Sequence, residues 1–408
     1  MYQLLSVIVS FLLIPILIRR KIKLSHTLLI SAGVLGLLSG LGINAIGKAV
    51  FSLVSDSSSL ATILTVFMVA ILGGTMKHYG LLDKIVNTMV LLVRNKKNIL
   101  AIVPSLMGFL AIPGGAMLSA PFVNEIGDDL DLSPPRRGAI NLVFRHIPMF
   151  ILPYSGQILL VLATVPQIDY PRLILYNLIF VAIIIISGYI IFLKDVKVEK
   201  SPPIKDFWRN ISKLLVYISP IYMAVIINLI SGWPFYITLI ASLILVCFLS
   251  DKKDFLKVVY GSINLDTILA IGAVLIIKDL ILNMEGLLGV FNTMFSQSNS
   301  LISIFSIFFI SSVFFGYITG NIMAPLAIVL PMVSQLDLGL DMLYVFVYFV
   351  YGASFLGYYF SPLHLCQVFT LDIMKVTTGQ LYKEYRLYAP TILILFIVSA
   401  FILRFILV

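Results

Sequence analysis

The sequence predicts an all-α polytopic membrane protein of about ten transmembrane helices plus two re-entrant hairpins, arranged as two repeats of inverted topology. Three observations lead there. First, 60% of the 408 residues are hydrophobic, only 12% are charged and the mean hydropathy is +1.07, well beyond the ~45–50% apolar content of soluble domains. Second, apolar windows of ~17–25 residues recur along the whole chain, as helices crossing a ~30 Å hydrocarbon layer require; the even alternation of a membrane barrel is missing. Third, the basic residues sort onto one side. Placing 19–23, 77–97, 136–137, 194–213, 252–257 and 375–386 in the cytoplasm collects 23 of the 28 Lys and Arg, the bias that orients membrane helices. The intervening loops SDSSS (55–59), VPQIDYP (165–171), SGWP (231–234), SQSNS (296–300) and DLGLD (337–341) hold no base. The net charge of +9 is thereby explained without a nucleic-acid partner; the partners expected are the lipid bilayer and a small solute. The chain is expected to be a multi-pass protein of the cell membrane, both termini extracytoplasmic and the 194–213 segment cytoplasmic.

The first repeat spans 1–195. Its opening apolar segment, QLLSVIVSFLLIPILI, runs into RRKIK instead of a small-residue cleavage site, so it reads as a retained helix and not as a signal peptide. Two more helices follow. The stretch NILAIVPSLMGFLAIPGGAMLSAPFVNEI lies between basic segments on the same side and must enter and leave by one face, which makes about 99–127 a hairpin with the tip IPGGA (112–116). A broken helix over about 138–165, interrupted at LPYSG (152–156), and one further crossing complete the repeat. Residues 196–206 form a charged, Pro-containing cytoplasmic linker.

The second repeat, 207–408, repeats the order from the opposite face. Its hairpin, about 301–335, lies between two base-free loops and turns at GYITGN (316–321); its broken helix, about 342–371, is interrupted at YYFSPLH (358–364). Internal similarity supports the pairing: GLLDKIVNTM (80–89) resembles GLLGVFNTM (286–294), Gly108 matches Gly316 and Pro153 matches Pro362 at offsets of 208 and 209. Five crossings per repeat is an odd number, so the second repeat is inverted. The alternative is that Gly and Pro merely kink ordinary transmembrane helices.

Backbone without a partner costs several kcal/mol in lipid, so unwound chain at membrane depth implies a protein-lined or wet cavity. Half-helix starts there present N–H groups to anions, and freed carbonyls can hold a cation. Substrate contacts are therefore expected from Pro113, Gly114 and Gly115 at one tip, Thr319, Gly320 and Asn321 at the other, and Asn141, Tyr154, Ser155 and Ser361 beside the breaks. Arg145, in the run AINLVFRHIPMFILPYSG, suits a bidentate fork to a carboxylate; snorkelling or bridging two helices is its bland alternative. His146 and His364 are candidate proton carriers, with a hydrogen-bonded structural histidine as the alternative. A sodium ion, if one couples transport, is expected near the tips at Gly114 and Asn321; no cofactor is expected. Acidic residues are scarce at depth, which favours a negative solute. Cys247 and Cys366 sit in apolar surroundings and suggest no disulfide framework.

PGGAMLSAP (113–121), FRHI (144–147), GYITGNIMAPLAI (316–328) and FLGYYFSPLHLCQVFT (355–370) resemble signature segments of the membrane proteins grouped as domain of unknown function 401, within the ion transporter superfamily of citrate-, dicarboxylate- and gluconate-type permeases. The resemblance implies an elevator-type fold, a homodimer, sodium or proton coupling, and anionic carboxylate substrates. Sodium-coupled dicarboxylate carriers of that superfamily carry Ser-Asn-Thr at each hairpin tip, whereas this chain has Pro113-Gly114-Gly115 and Thr319-Gly320-Asn321.

The function expected is thus a secondary active transporter of a small anionic organic solute, coupled to Na⁺ or H⁺. A channel is an alternative, since re-entrant segments also line pores. An intramembrane enzyme using His146 or His364 is a further one, against which stands the absence of Gly-x-Ser-x-Gly and HExxH motifs.

Overall fold

The structure is a computed structural model that describes residues 2–93, 95–109, 116–197, 206–250, 254–297 and 301–408. Among these residues every regular element is helical, and eight segments are long and apolar enough to cross a membrane. The chain is a multi-pass, membrane-embedded helical protein. The first half runs α1 (Tyr2–Arg19), α2 (Leu24–Leu38), α3 (Ile43–Ser55), α4 (Ser57–His78), α5 (Leu81–Leu92), α6 (Lys96–Gly108), α7 (Ala116–Asp128), α8 (Pro134–Arg145), α9 (Pro148–Ile151), α10 (Gly156–Thr164) and α11 (Tyr170–Phe192). Local chemistry sets several starts. Asp56 caps α4 by accepting from Ser59 N at 2.8 Å, and Asn95 caps α6 by accepting from Lys97 N at 2.9 Å. Asp169 caps α11 in the same way. Each cap satisfies a backbone N–H that has no partner within its helix.

The second half runs α12 (Phe207–Ser231), α13 (Phe235–Leu249), α14 (Phe255–Gly261), α15 (Leu265–Leu282), α16 (Glu285–Gln297), α17 (Leu301–Thr319), α18 (Met323–Ser334), α19 (Leu340–Tyr359), α20 (Leu365–Met374) and α21 (Thr378–Leu407). α17 and α18 form a helix pair that turns at 320–322 and packs on α19; α6 and α7 pack against each other and both against α8. Residues 110–115, between α6 and α7, lie outside the described residues, and with them the predicted tip residues Pro113, Gly114 and Gly115.

Burial separates the middle of the molecule from its rim. α19 is 83% buried over its apolar window, whereas α12 is 11% buried over its own; α12 turns most of its apolar surface outward, where lipid would cover it. α19 carries the fully buried Tyr344, Tyr348, Tyr351 and Tyr359. A phenol in an apolar core needs a hydrogen-bond partner, and each has one. Tyr348 meets Ser399 Oγ at 2.6 Å, Tyr351 donates to the Met149 carbonyl at 2.5 Å and Tyr359 meets Tyr385 at 2.8 Å; Tyr344 donates to the Asp169 carboxylate.

The two interrupted helices cross over at the centre. α20 packs on α7 and α8, and α10 packs on α18, so the helix after each break lies against the second helix of the other half's helix pair. This arrangement brings Asn141 and His146 against Tyr358, His364 and Thr370.

Candidate functional site

Both interruptions follow from sequence. Pro148 and Pro362 have no N–H to give and crowd the residue before them, which favours a break at these points, although Pro104 and Pro331 stand inside helices of the same chain. α8 therefore stops at Arg145, the chain turns through His146 and Ile147, a single turn (α9) follows, and α10 begins only at Gly156. α19 stops at Tyr359 and α20 begins at Leu365.

Glycines seat the helices on these breaks. A Cβ on Gly108, in α6, would lie 2.2 Å from the Arg145 carbonyl oxygen, and one on Gly316, in α17, would lie 2.8 Å from the Ser354 carbonyl oxygen. Gly320 has φ +60° and faces the break directly, its missing Cβ falling 2.7 Å from the Leu363 carbonyl carbon. Ser361 Oγ donates to the Tyr317 carbonyl at 2.6 Å, tying the same two segments together.

At the centre stand Arg145, His146 and His364, buried at 6%, 2% and 1% exposure. His146 and His364 come from opposite halves of the chain, yet their Nε2 atoms are 3.1 Å apart. His146 Nδ1 lies 2.6 Å from the Leu142 carbonyl. A carbonyl can only accept, so Nδ1 carries the proton and, in the neutral ring, Nε2 keeps its lone pair toward His364. Tyr358 Oη is 3.4 Å from the same His146 Nε2 and also meets the Cys366 thiol. Arg145 is near enough to act electrostatically on both rings and on Tyr358. Among the described residues its one hydrogen bond to a side chain goes to Ser119 Oγ, at a long 3.4 Å, and no carboxylate pairs with it. The other basic residues outside the clustered segments differ. Arg172 pairs with Asp341 and Lys278 with Asp279, while Lys48 is exposed and Arg404 half-buried near the end of α21.

The remaining predicted residues divide by where their polar atoms go. Asn141 is fully buried and donates to Thr370 Oγ1 at 2.9 Å, while its Oδ1 has no partner. Thr319 Oγ1 donates to the Phe315 carbonyl at 2.7 Å, and Asn321 Oδ1 accepts from Met323 N at 2.8 Å, so both build the turn into α18. Ser155 Oγ reaches the Met149 carbonyl at 3.4 Å. Tyr154 points elsewhere: its hydroxyl donates to the Ile221 carbonyl of α12 at 2.8 Å. Its acceptor residue Ile221 also lines an apolar cavity of about 220 Å³ between α5, α6 and α12, with Leu82, Met107 and Ile218 among the other lining residues. Residues outside the predicted set join the centre: Ser119, Tyr358, Cys366 and Thr370; Gln367 of α20 is buried and faces Tyr382.

The family described as "Protein of unknown function (DUF401)" matches residues 2–406. The chain belongs to that family. No curated protein matches it.

Proposed function

We propose that the chain is a secondary active transporter of a small anionic, carboxylate-like organic solute, coupled to Na⁺ or H⁺, and a member of the ion transporter superfamily. The observation that carries this reading is Arg145, a buried guanidinium with no carboxylate partner among the described residues. A lone buried charge is costly, and such a residue in a membrane core is a functional group by default. A solute carboxylate entering beside it would supply two charge-assisted hydrogen bonds in a planar fork. The half-helix start at Leu365 and Asn141 Oδ1, unpartnered among the described residues, add neutral contacts.

An inverted-repeat architecture is supported by the way Gly108 packs on the Arg145 carbonyl and Gly316 on the Ser354 carbonyl, contacts related by sequence offsets of 208 and 209. It is supported too by the crossing of α20 onto α7 and α10 onto α18. We propose that the two helix pairs α6–α7 and α17–α18 enter from opposite faces, that with α8–α10 and α19–α20 they form the moving part of an elevator, and that the remaining helices supply scaffold and homodimer contacts. Uptake of radiolabelled citrate, succinate and gluconate into proteoliposomes, driven in turn by Na⁺ and H⁺ gradients, tests the assignment. Saturable uptake lost in Arg145→Met is expected; uptake unchanged by that substitution removes Arg145 from the site.

A further inference from the structure

The chain has four histidines and two cysteines, and two of the former and one of the latter converge on one point. His146 Nε2 and His364 Nε2 are 3.1 Å apart, and one ring nitrogen of each histidine and Cys366 Sγ all lie within 4.8 Å of one another. Nothing in the transport reading calls for a thiol there. We propose that these three atoms form a binding site for one soft monovalent metal ion, Cu(I) or Ag(I), that joins the end of α8 to the start of α20.

Four features argue for it. Two metal–nitrogen bonds of ~2.0–2.1 Å opening at a tetrahedral angle put their nitrogens ~3.3 Å apart, close to the 3.1 Å separating the two Nε2 atoms. The His146 Nδ1–H bond to the Leu142 carbonyl is the outer contact that metal-ligating histidines use to aim the other nitrogen. The donor set is two imidazoles and a sulfur, with no carboxylate among the three, which selects a soft transition metal over Na⁺, Mg²⁺ or Ca²⁺. Cys366 is half-buried while both imidazoles are enclosed, so the thiol offers the way in.

Charge chooses the oxidation state. When the metal binds, the Cys366 thiol loses its proton to solvent and the sulfur forms the metal bond. Replacing H⁺ by Cu⁺ or Ag⁺ leaves the net charge of the centre unchanged. Zn²⁺ in the same place adds one unit of positive charge beside the buried Arg145 guanidinium, in surroundings where uncompensated charge is expensive. The site therefore discriminates for monovalent ions.

Metal binding is measured on purified, reduced, chelator-stripped protein in detergent, with no transport assay, so its failure and that of the solute reading are separable. Titration with Cu(I) against a chromogenic Cu(I) chelator is expected to give one ion per chain. X-ray absorption at the copper edge of the wild type is expected to show a mixed shell of nitrogen with one sulfur. Cys366→Ser and His364→Asn are each expected to weaken binding by at least about 100-fold, since loss of outer-shell partners alone costs 10–100-fold; Cys247→Ser should bind as the wild type does. If either site variant fails to fold, the absorption spectrum needs no substitution and decides alone. Wild-type protein that takes up no stoichiometric Cu(I), a shell without sulfur, undiminished binding in Cys366→Ser, or Zn²⁺ held more tightly than Cu(I) overturns the proposal.

Discussion

Substituting Arg145 by Met separates a residue held for a ligand from one held for the fold, because the two roles predict opposite changes in the protein without solute. The guanidinium is buried, its one side-chain hydrogen bond is 3.4 Å long, and no carboxylate faces it among the described residues. Methionine fills a similar volume without a charge, so the unliganded variant should unfold at the wild-type temperature or a few degrees above it, as replacement of uncompensated buried charge allows. Binding should move the other way. Two charge-assisted hydrogen bonds at ~1.5 kcal/mol or more each amount to ~3 kcal/mol, or about 100-fold or more in Kd. At a solute concentration ~100 times the wild-type Kd, ligand stabilises the wild type by ~2.7 kcal/mol, while a variant bound 100-fold more weakly gains only ~0.4 kcal/mol. Thermal unfolding in detergent, with and without citrate, succinate and gluconate, reads both effects. Arg145→Lys keeps the charge but loses the fork and should fall between. A large loss of stability in unliganded Arg145→Met, or a ligand shift equal to the wild type's, refutes the argument; a wild type indifferent to all three acids refutes the carboxylate class.

Three further outcomes follow from packing and capping. Gly320→Ala forces a Cβ onto a φ of +60° and to 2.7 Å from the Leu363 carbonyl carbon, so it should cost roughly 2 kcal/mol or more and lower the unfolding temperature by several degrees; Gly339→Ala, where a Cβ meets nothing within 4 Å, is the matched control. Gly108→Ala places a Cβ 2.2 Å from the Arg145 carbonyl oxygen and should lower solute uptake more than it lowers stability, since it displaces the break that carries Arg145; uptake scaling only with folded fraction would count against this. At the start of α11, burial raises the Asp169 carboxyl, but hydrogen bonds from the Tyr344 hydroxyl and the Arg172 N–H outweigh it and hold the group below its usual 3.8. A depressed folded pKa contributes stability that is present above pH ~4 and lost as pH falls through the folded value. Asp169→Asn should therefore reduce the acid sensitivity of unfolding below pH ~4, at only a small cost above it, because Asn caps a helix about as well as Asp and the residue is solvent-exposed.

What the sequence made legible was whatever rests on one segment at a time. Hydrophobic runs gave the helices, LPYSG with Pro153 and YYFSPLH with Pro362 gave the interruptions, although the first one opens earlier than expected, at His146, and Gly320 announced a turn where backbone comes too close for a Cβ. Arg145 was legible as a rare charge at depth, although its distinction from Arg172 and Lys278 came only from finding that those two meet Asp341 and Asp279. Tyr154 shows the limit from the other side: lying beside a break, it was expected to face the solute, but direction at a helix interruption depends on the neighbour, and the Ile221 carbonyl of α12 draws its hydroxyl away. Contacts across the two halves were the least legible. The His146–His364 pair joins residues 218 apart, and Asn141–Thr370 joins residues 229 apart; no spacing or periodicity encodes either, because they exist only once α20 has crossed onto α7 and α8. Cys366 was set aside for its apolar surroundings for the same reason. Its neighbours in the chain are apolar, while its neighbours in space are two imidazoles and a phenol, and the chemistry of a thiol is decided by the second set.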